Sequence, residues 1–164
     1  MITLYHGSNV VIDVVDLKRS KKGKDFGQGF YLNPNKKQAY DMALRTVQRM
    51  SCGRPVVNIF TFNDAVLYAK NDLWIKVFED YSEEWAEFVL MNRRNKSDVQ
   101  AHNYDIVIGP IADDTVGVQI RRYTLGYISM EKLVEELKYK GSHAIQFFFG
   151  TEKSIKLLIK QSHG

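Results

Sequence analysis

The chain is short of the residues that staple or punctuate a fold. A single cysteine, Cys52, in 164 residues excludes an internal disulfide and any cysteine-rich zinc site. Three prolines and 11 glycines form no Pro/Gly/Ser-rich linker, so residues 1–164 read as one domain. No apolar run approaches the ~18 residues that a membrane span needs. The first residues, Met1-Ile-Thr-Leu-Tyr-His6, carry neither a charged n-region nor an apolar h-region. The expectation is a soluble, cytoplasmic protein with no membrane partner, secretion by a signal-free route being the alternative.

Acids are missing from one place only. Lys18, Arg19, Lys21, Lys22 and Lys24 lie in a stretch of seven residues that holds no Asp or Glu. Lys plus Arg is 23 and Asp plus Glu is 19, a net charge of +4. Removing those five bases leaves 18 against 19, or −1. The basic character is therefore one local feature on a nearly neutral body. Nucleic-acid-binding domains usually spread their bases along a face or a helix, so this stretch is weak evidence for such a partner.

What the chain does have is material for a core. Nine Phe, nine Tyr and two Trp, with 45% hydrophobic residues overall, exclude disorder along the whole length. Strands are expected at Ile2–His6, stopping at Gly7-Ser8, and at Phe30–Leu32, Val56–Phe62, Tyr104–Ile111 and His143–Phe149. Asn33 with Pro34 signals a helix start for the stripe Ala39, Met42, Ala43, Val47 and Met50, which Gly53 and Pro55 end. Asp80 and Glu83 suggest a capping box before Trp85, Phe88 and Val89. Ser129 precedes a helix with Met130, Leu133, Val134 and Leu137 on one side. Ala112-Asp113-Asp114 reads as a turn, and Thr151 caps a last helix carrying Ile155, Leu158 and Ile159. Without a strict βαβ rhythm, the fold class is α+β with a largely antiparallel sheet.

Several chemistries are excluded by missing motifs. Gly27-Gln28-Gly29 is followed by Leu32 where a third glycine would complete a dinucleotide fingerprint. There is no GxxxxGK[ST] and no GxSxG. His6, His102, His143 and His163 have no metal-ligand spacing, and no metal is expected. Nothing local supports a nucleophilic role for Cys52.

Three stretches join a strand to polar or glycine residues. LYHGS sets His6 at a strand end, before Gly7 and Ser8. An imidazole there can offer a ring nitrogen, and glycine lets a ligand approach. In DFGQGFYL, two glycines precede Tyr31, whose ring could stack on a flat heterocycle. In SHAIQFFFGTE, Gln146 shares a strand face with Phe148 while Phe147 and Phe149 take the other. A glutamine in so apolar a segment needs a hydrogen-bond partner, from the fold or from a ligand.

In this order the three stretches resemble the H-Y-E arrangement of the ADP-ribosyltransferase superfamily, which includes diphtheria-toxin-like and poly(ADP-ribose)-polymerase-like catalytic domains. Within it, the chain is similar to an uncharacterised bacterial family with a YHGS start, DFGxGFY, YDIVxGPxADD and a terminal Q-x-x-F-x-TE segment. The resemblance covers most of the chain and is least distinctive from about residue 63 to 100. It implies small, largely antiparallel sheets packed with helices around an NAD cleft. It also implies mono-ADP-ribosyl transfer or NAD cleavage with release of nicotinamide, in a toxin-like protein. By it, His6 would bond the adenosine-side ribose, and Gly7, next to Ser8, would meet the carboxamide. Tyr31 would stack on nicotinamide, Tyr40 would form the other side of that slot, and Gln146 would stand at the glutamate position.

That last residue is the main departure. Cleavage develops positive charge on the ribose, and a neutral amide stabilises it less than a carboxylate. Glu152 is the nearest acid downstream, expected in a first helical turn where an acid suits the helix dipole. Asp113 and Asp114 are the other acids that could approach the cleft. The partners implied are NAD, an unidentified acceptor and, for a toxin, a neutralising protein. Two alternatives stay open: a binding-only module for NAD, ADP-ribose or a partner, and a nucleic-acid-binding domain using Lys18–Lys24.

Overall fold

A computed structural model describes residues 1–161; His163 lies outside them. The structure is α+β, with two small, mostly antiparallel sheets and five α-helices among the described residues. The first sheet holds β1 (Ile2–Ser8), β3 (Val56–Phe62) and β7 (Leu158–Lys160) in the order β1-β3-β7, all antiparallel. The second holds β2 (Phe30–Leu32), β6 (Ile145–Phe149), β5 (Ile106–Pro110) and β4 (Ile75–Val77) in the order β2-β6-β5-β4. Only β4 and β5 run parallel.

Strand alternation divides the interior into two layers. Leu4, Phe30, Leu32, Phe60, Phe62, Ile106, Ile108, Phe147 and Phe149 form one cluster, contributed by both sheets. Phe148 and Val107, one residue out of phase, join a second cluster on the other face of the four-stranded sheet. There they meet Trp85 and Val89 of α2 (Glu83–Arg94), Val116 and Ile120 of α3 (Asp114–Thr124), and Leu133 and Leu137 of α4 (Met130–Lys140). The fifteen-residue α1 (Lys36–Met50) packs on β1 through Ala39 and Ala43, its only buried residues. Among the described residues no helix is long and apolar enough to cross a membrane.

Several expected boundaries are corrected. Gly7 and Ser8 do not stop β1; they pair with Val57 and Val56. Asn33 does not cap α1. Its backbone exchanges two 2.8 Å hydrogen bonds with Tyr5, and Asn35 caps the helix by accepting from the amides of Lys37 and Gln38. Ser82, not Asp80, caps α2, and Asp80 instead accepts from its neighbour Tyr81 and faces His143. The strand expected over Tyr104–Ile111 is shorter, Ile106–Pro110, and the Asp105 side chain before it accepts from the Trp74 amide and the Thr151 hydroxyl. Asp113 is the N-cap of α3 rather than a turn residue. His143, at a φ of 54°, precedes β6 instead of starting it. The last helix, α5 (Glu152–Ile155), is a single turn, and Leu158 and Ile159 belong to β7. Sequence reasoning passed over α3 and β4; Gly117 sits inside α3 and weakens its local signal.

Candidate functional site

The two sheets meet edge to edge and then part. Tyr5 of β1 and Asn33, just after β2, form an isolated antiparallel bridge. Extending that register brings Gly7 across from Tyr31, but the backbone pairing does not continue. Between the diverging strands lies a cleft of about 1720 Å³, lined by His6, Gly7, Ser8, Tyr31, Asn33 and Gln146 among others. Ordinary small-molecule sites occupy roughly 300–1,000 Å³, so a dinucleotide has room.

His6 spans the gap. Its Nδ1 lies 2.7 Å from the Tyr31 carbonyl, and its ring stacks on Phe30 with centroids 4.5 Å apart. A carbonyl only accepts, so Nδ1 carries the proton and Nε2 is left as an acceptor. The ring is held neutral. Burial pushes its pKa down to about 4, with Lys24 adding to the fall and the carbonyl bond opposing it.

Gly7 is glycine because of the helix that packs on it. A Cβ there would come within 1.8 Å of the Ala39 carbonyl oxygen, so glycine is what lets α1 sit on β1. Ligand approach is therefore not needed to explain it. In an antiparallel strand, however, a residue's amide and carbonyl point to the same side, alternating along the chain. Those of Tyr5 point away from β3 to Asn33. Those of Gly7, two residues on, turn the same way, where the seam has opened. Ser8 is buried beside it, and its hydroxyl accepts from the Val10 amide at 3.4 Å.

Tyr31 is fixed at both ends. Its hydroxyl accepts from the Phe26 amide at 3.0 Å and donates to the Gly27 carbonyl at 2.7 Å. This ties the strand to the glycine loop, where Gly27 has a φ of 99°. Burial pushes the phenol pKa well above its usual value. The ring contacts Phe26 and Phe148, and the Lys24 ammonium lies 4.9 Å from its centroid.

Gln146 shares the sheet face of Tyr31. Tyr31 pairs with Phe148, and Gln146 is two residues before it, the diagonal relation that usually spans about 7–8 Å. Its Nε2 is buried and has no hydrogen-bond partner. Burying an amide without a partner costs about 1–3 kcal/mol by protein mutational data, and of the buried side-chain atoms in this state among the described residues, only Gln146 Nε2 and Ser20 Oγ belong to residues lining the cleft.

The other candidates divide. Glu152 is exposed and lines the cleft from the first turn of α5. Tyr40, 48% exposed, is not among the lining residues, so it does not form a second wall opposite Tyr31; the cleft side of α1 is given by Ala39, Met42 and Thr46 instead. Asp113 and Asp114 also lie outside the lining, the first accepting from the Val116 amide at 2.9 Å. Cys52 is exposed, its sulfur 3.4 Å from the Asn9 amide nitrogen. No group of three or more His, Cys, Asp or Glu among the described residues could hold a metal ion.

Sequence reasoning flagged the basic stretch but not Arg49 of α1, which lines the same cleft as Lys24 and depresses its pKa. The stretch is also less loose than a solvated loop. Gln28 donates to the carbonyls of Lys18 and Ser20, Asp16 accepts from the Lys18 amide, and Lys22 pairs with Asp98.

A family model described as protein of unknown function (DUF3990) matches residues 2–159. The chain belongs to the DUF3990 family. Its matched span includes every residue of the candidate site. Searches of curated proteins and of solved structures returned no match.

Proposed function

We propose that this DUF3990 protein binds NAD in the cleft and breaks its nicotinamide–ribose bond, as an ADP-ribosyltransferase-like enzyme passing ADP-ribose to water or to an acceptor. The observation that carries the reading is the buried, unpartnered Nε2 of Gln146, on the same sheet face as Tyr31. It is supported by the Gly7 backbone turned to the cleft and by the acceptor nitrogen of neutral His6.

In this reading the Gly7 amide and carbonyl meet the nicotinamide carboxamide, which needs one donor and one acceptor. Tyr31 offers its ring to the base, and His6 Nε2 accepts from a ribose hydroxyl. When the glycosidic C–N bond breaks, its electron pair leaves with nicotinamide and C1′ of the ribose becomes cationic. An acceptor oxygen or nitrogen then bonds to C1′ and gives up its proton. Gln146 orients the ribose through its amide but takes no proton, and Glu152, an acid of the cleft lining free of any ion pair among the described residues, can receive one.

Nicotinamide release from NAD, with and without cell lysate, tests this for the native chain, Tyr31→Ala and Gln146→Glu. Release that needs Tyr31 is expected, and a carboxylate at position 146 should raise it. Stimulation by lysate would mark a transferred ADP-ribose. The neutral amide at position 146 specifically favours a second reading, a module that binds NAD or ADP-ribose without cleaving it. Binding with no release under either condition would select that reading.

A further inference from the structure

Arg19, Lys21, Lys24, Arg49, Arg93 and Lys96 all line the cleft. Arg93 is committed, its Nε 2.6 Å from Asp25. Among the described residues, none of the other five has a carboxylate oxygen within 4.0 Å. Four acids also line the cleft, and none of them pairs with these five cations; Glu152 stands apart in the first turn of α5. Asp25 is taken by Arg93, Asp16 accepts from the Lys18 amide at 3.0 Å, and Asp13 pairs with Lys160 at 2.6 Å. Lys24, though exposed, is tied to the site through its backbone. Its carbonyl accepts from the Gly27 amide at 3.1 Å, which ties it to the loop that Tyr31 anchors. Partial desolvation and the like charges of Arg49 and Lys21 hold its pKa below the usual lysine value, with Asp25 opposing. Like charges gathered at a concave surface with no carboxylate in contact favour an anion.

The placement of Lys24 adds a second constraint. The Tyr31 ring packs against Phe26 and Phe148 of the core, and the Lys24 ammonium covers it at 4.9 Å. A flat base stacked on the ring and the ammonium over the ring compete for one place.

We propose that Lys24 selects phosphate-bearing ligands for this cleft: with Arg49 it clamps a diphosphate, and moving to the phosphate frees the Tyr31 ring for the base. The identity of the base rests on the NAD reading above, whereas the clamp does not. The ligand class is a nucleoside diphosphate ester rather than a free nucleoside.

Calorimetric titration of the full chain with inorganic pyrophosphate, ADP-ribose and nicotinamide riboside tests this. Pyrophosphate and ADP-ribose should bind, and Lys24→Met or Arg49→Met should each weaken both at least tenfold. Lys24→Arg should keep most of the affinity. Nicotinamide riboside, which has no phosphate, should bind Lys24→Met as well as or better than the native chain, because its stacking place is uncovered. Circular dichroism confirms that the variants fold. Equal losses for phosphorylated and unphosphorylated ligands would overturn the proposal, as would absent pyrophosphate binding. So would a single-stranded oligonucleotide that binds more tightly than ADP-ribose and is lost in the same variants. NAD cleavage at unchanged kcat/KM in Lys24→Met would overturn the clamp and leave the enzymatic reading standing. Pyrophosphate binding with no NAD cleavage would keep the clamp and remove that reading.

Discussion

Two neighbouring parts of β1 are built alike and end differently. At Tyr5, the backbone groups on the outer edge are both paired with Asn33 at 2.8 Å. At Gly7, two residues on, the same edge faces a cleft. The same contrast runs along β6, where Phe148 is fully buried and Gln146 carries an amide nitrogen without a partner. Buried backbone and side-chain polar groups are nearly always satisfied. At Tyr5, in the closed half, the rule is met within the fold; at Gln146, in the open half, it is not, and in the proposed function a bound ligand fills that gap.

Substitutions can break or sharpen this contrast. The largest effect should come from Gly7→Ala, which drives a methyl group to 1.8 Å from a backbone oxygen of α1. Overpacking of this kind costs about 1–3 kcal/mol or more. At roughly 2–4 °C per kcal/mol for a domain of this size, a Tm lowered by about 5–10 °C is expected by calorimetry. An unchanged Tm would mean that α1 is not seated on β1 as described.

Tyr31→Phe should follow. It leaves the buried Phe26 amide and Gly27 carbonyl without the hydroxyl that joins them, at about 1–3 kcal/mol. Urea unfolding would show it, and proteolysis within residues 18–28 should speed up with it.

His6 supplies a pH test. Its pKa is lowered in the fold to about 4, so between there and the unfolded value near 6.5 the unfolded chain binds more protons. The contribution is fully present above about pH 6.5 and is lost as the pH falls through that window to about 4. The urea midpoint of the native chain should therefore drop between about pH 7 and about pH 4.5, and His6→Gln should flatten that part of the decline.

The smallest effect on the fold is expected from Gln146→Leu. Removing an unsatisfied amide nitrogen relieves a desolvation penalty, so stability should hold within about 1 kcal/mol or rise. Ligand binding in the cleft should be lost in the same variant. A fall of several kcal/mol would instead make Gln146 part of the closed half.

Legibility followed how local each signal was. Val56–Phe62 and the Ser129-capped helix read correctly because alternation, periodicity and a single capping residue sufficed. Helix starts failed where two cappers stood two residues apart. Asn33 lost to Asn35 because Tyr5, distant in sequence, holds its backbone, and Asp80 lost to Ser82. The last helix gave way to a strand because β3 had an edge to pair with Leu158–Lys160. At the site, His6, Gly7, Ser8, Tyr31 and Gln146 come together in one cleft. Tyr40, placed by the resemblance rather than by any pattern within α1, lies outside the cleft lining. Arg49 was missed because an exposed helical arginine has no local mark of function.

The Tyr5–Asn33 bridge has a consequence for what the cleft can accept. Two backbone bonds between sheet edges set the gauge of the opening at that end. Widening the gap there means breaking both bonds, so in the proposed function that end sets the thickness of a bound base, as a feeler slot does. At the far end the wall is the loop that carries Lys24, held by side chains rather than by a strand ladder. Adjustment to a guest's length and charge falls to that end. If the cleft holds the proposed dinucleotide, the end closed by backbone bonds takes the flat base and the end closed by side chains takes the charged tail.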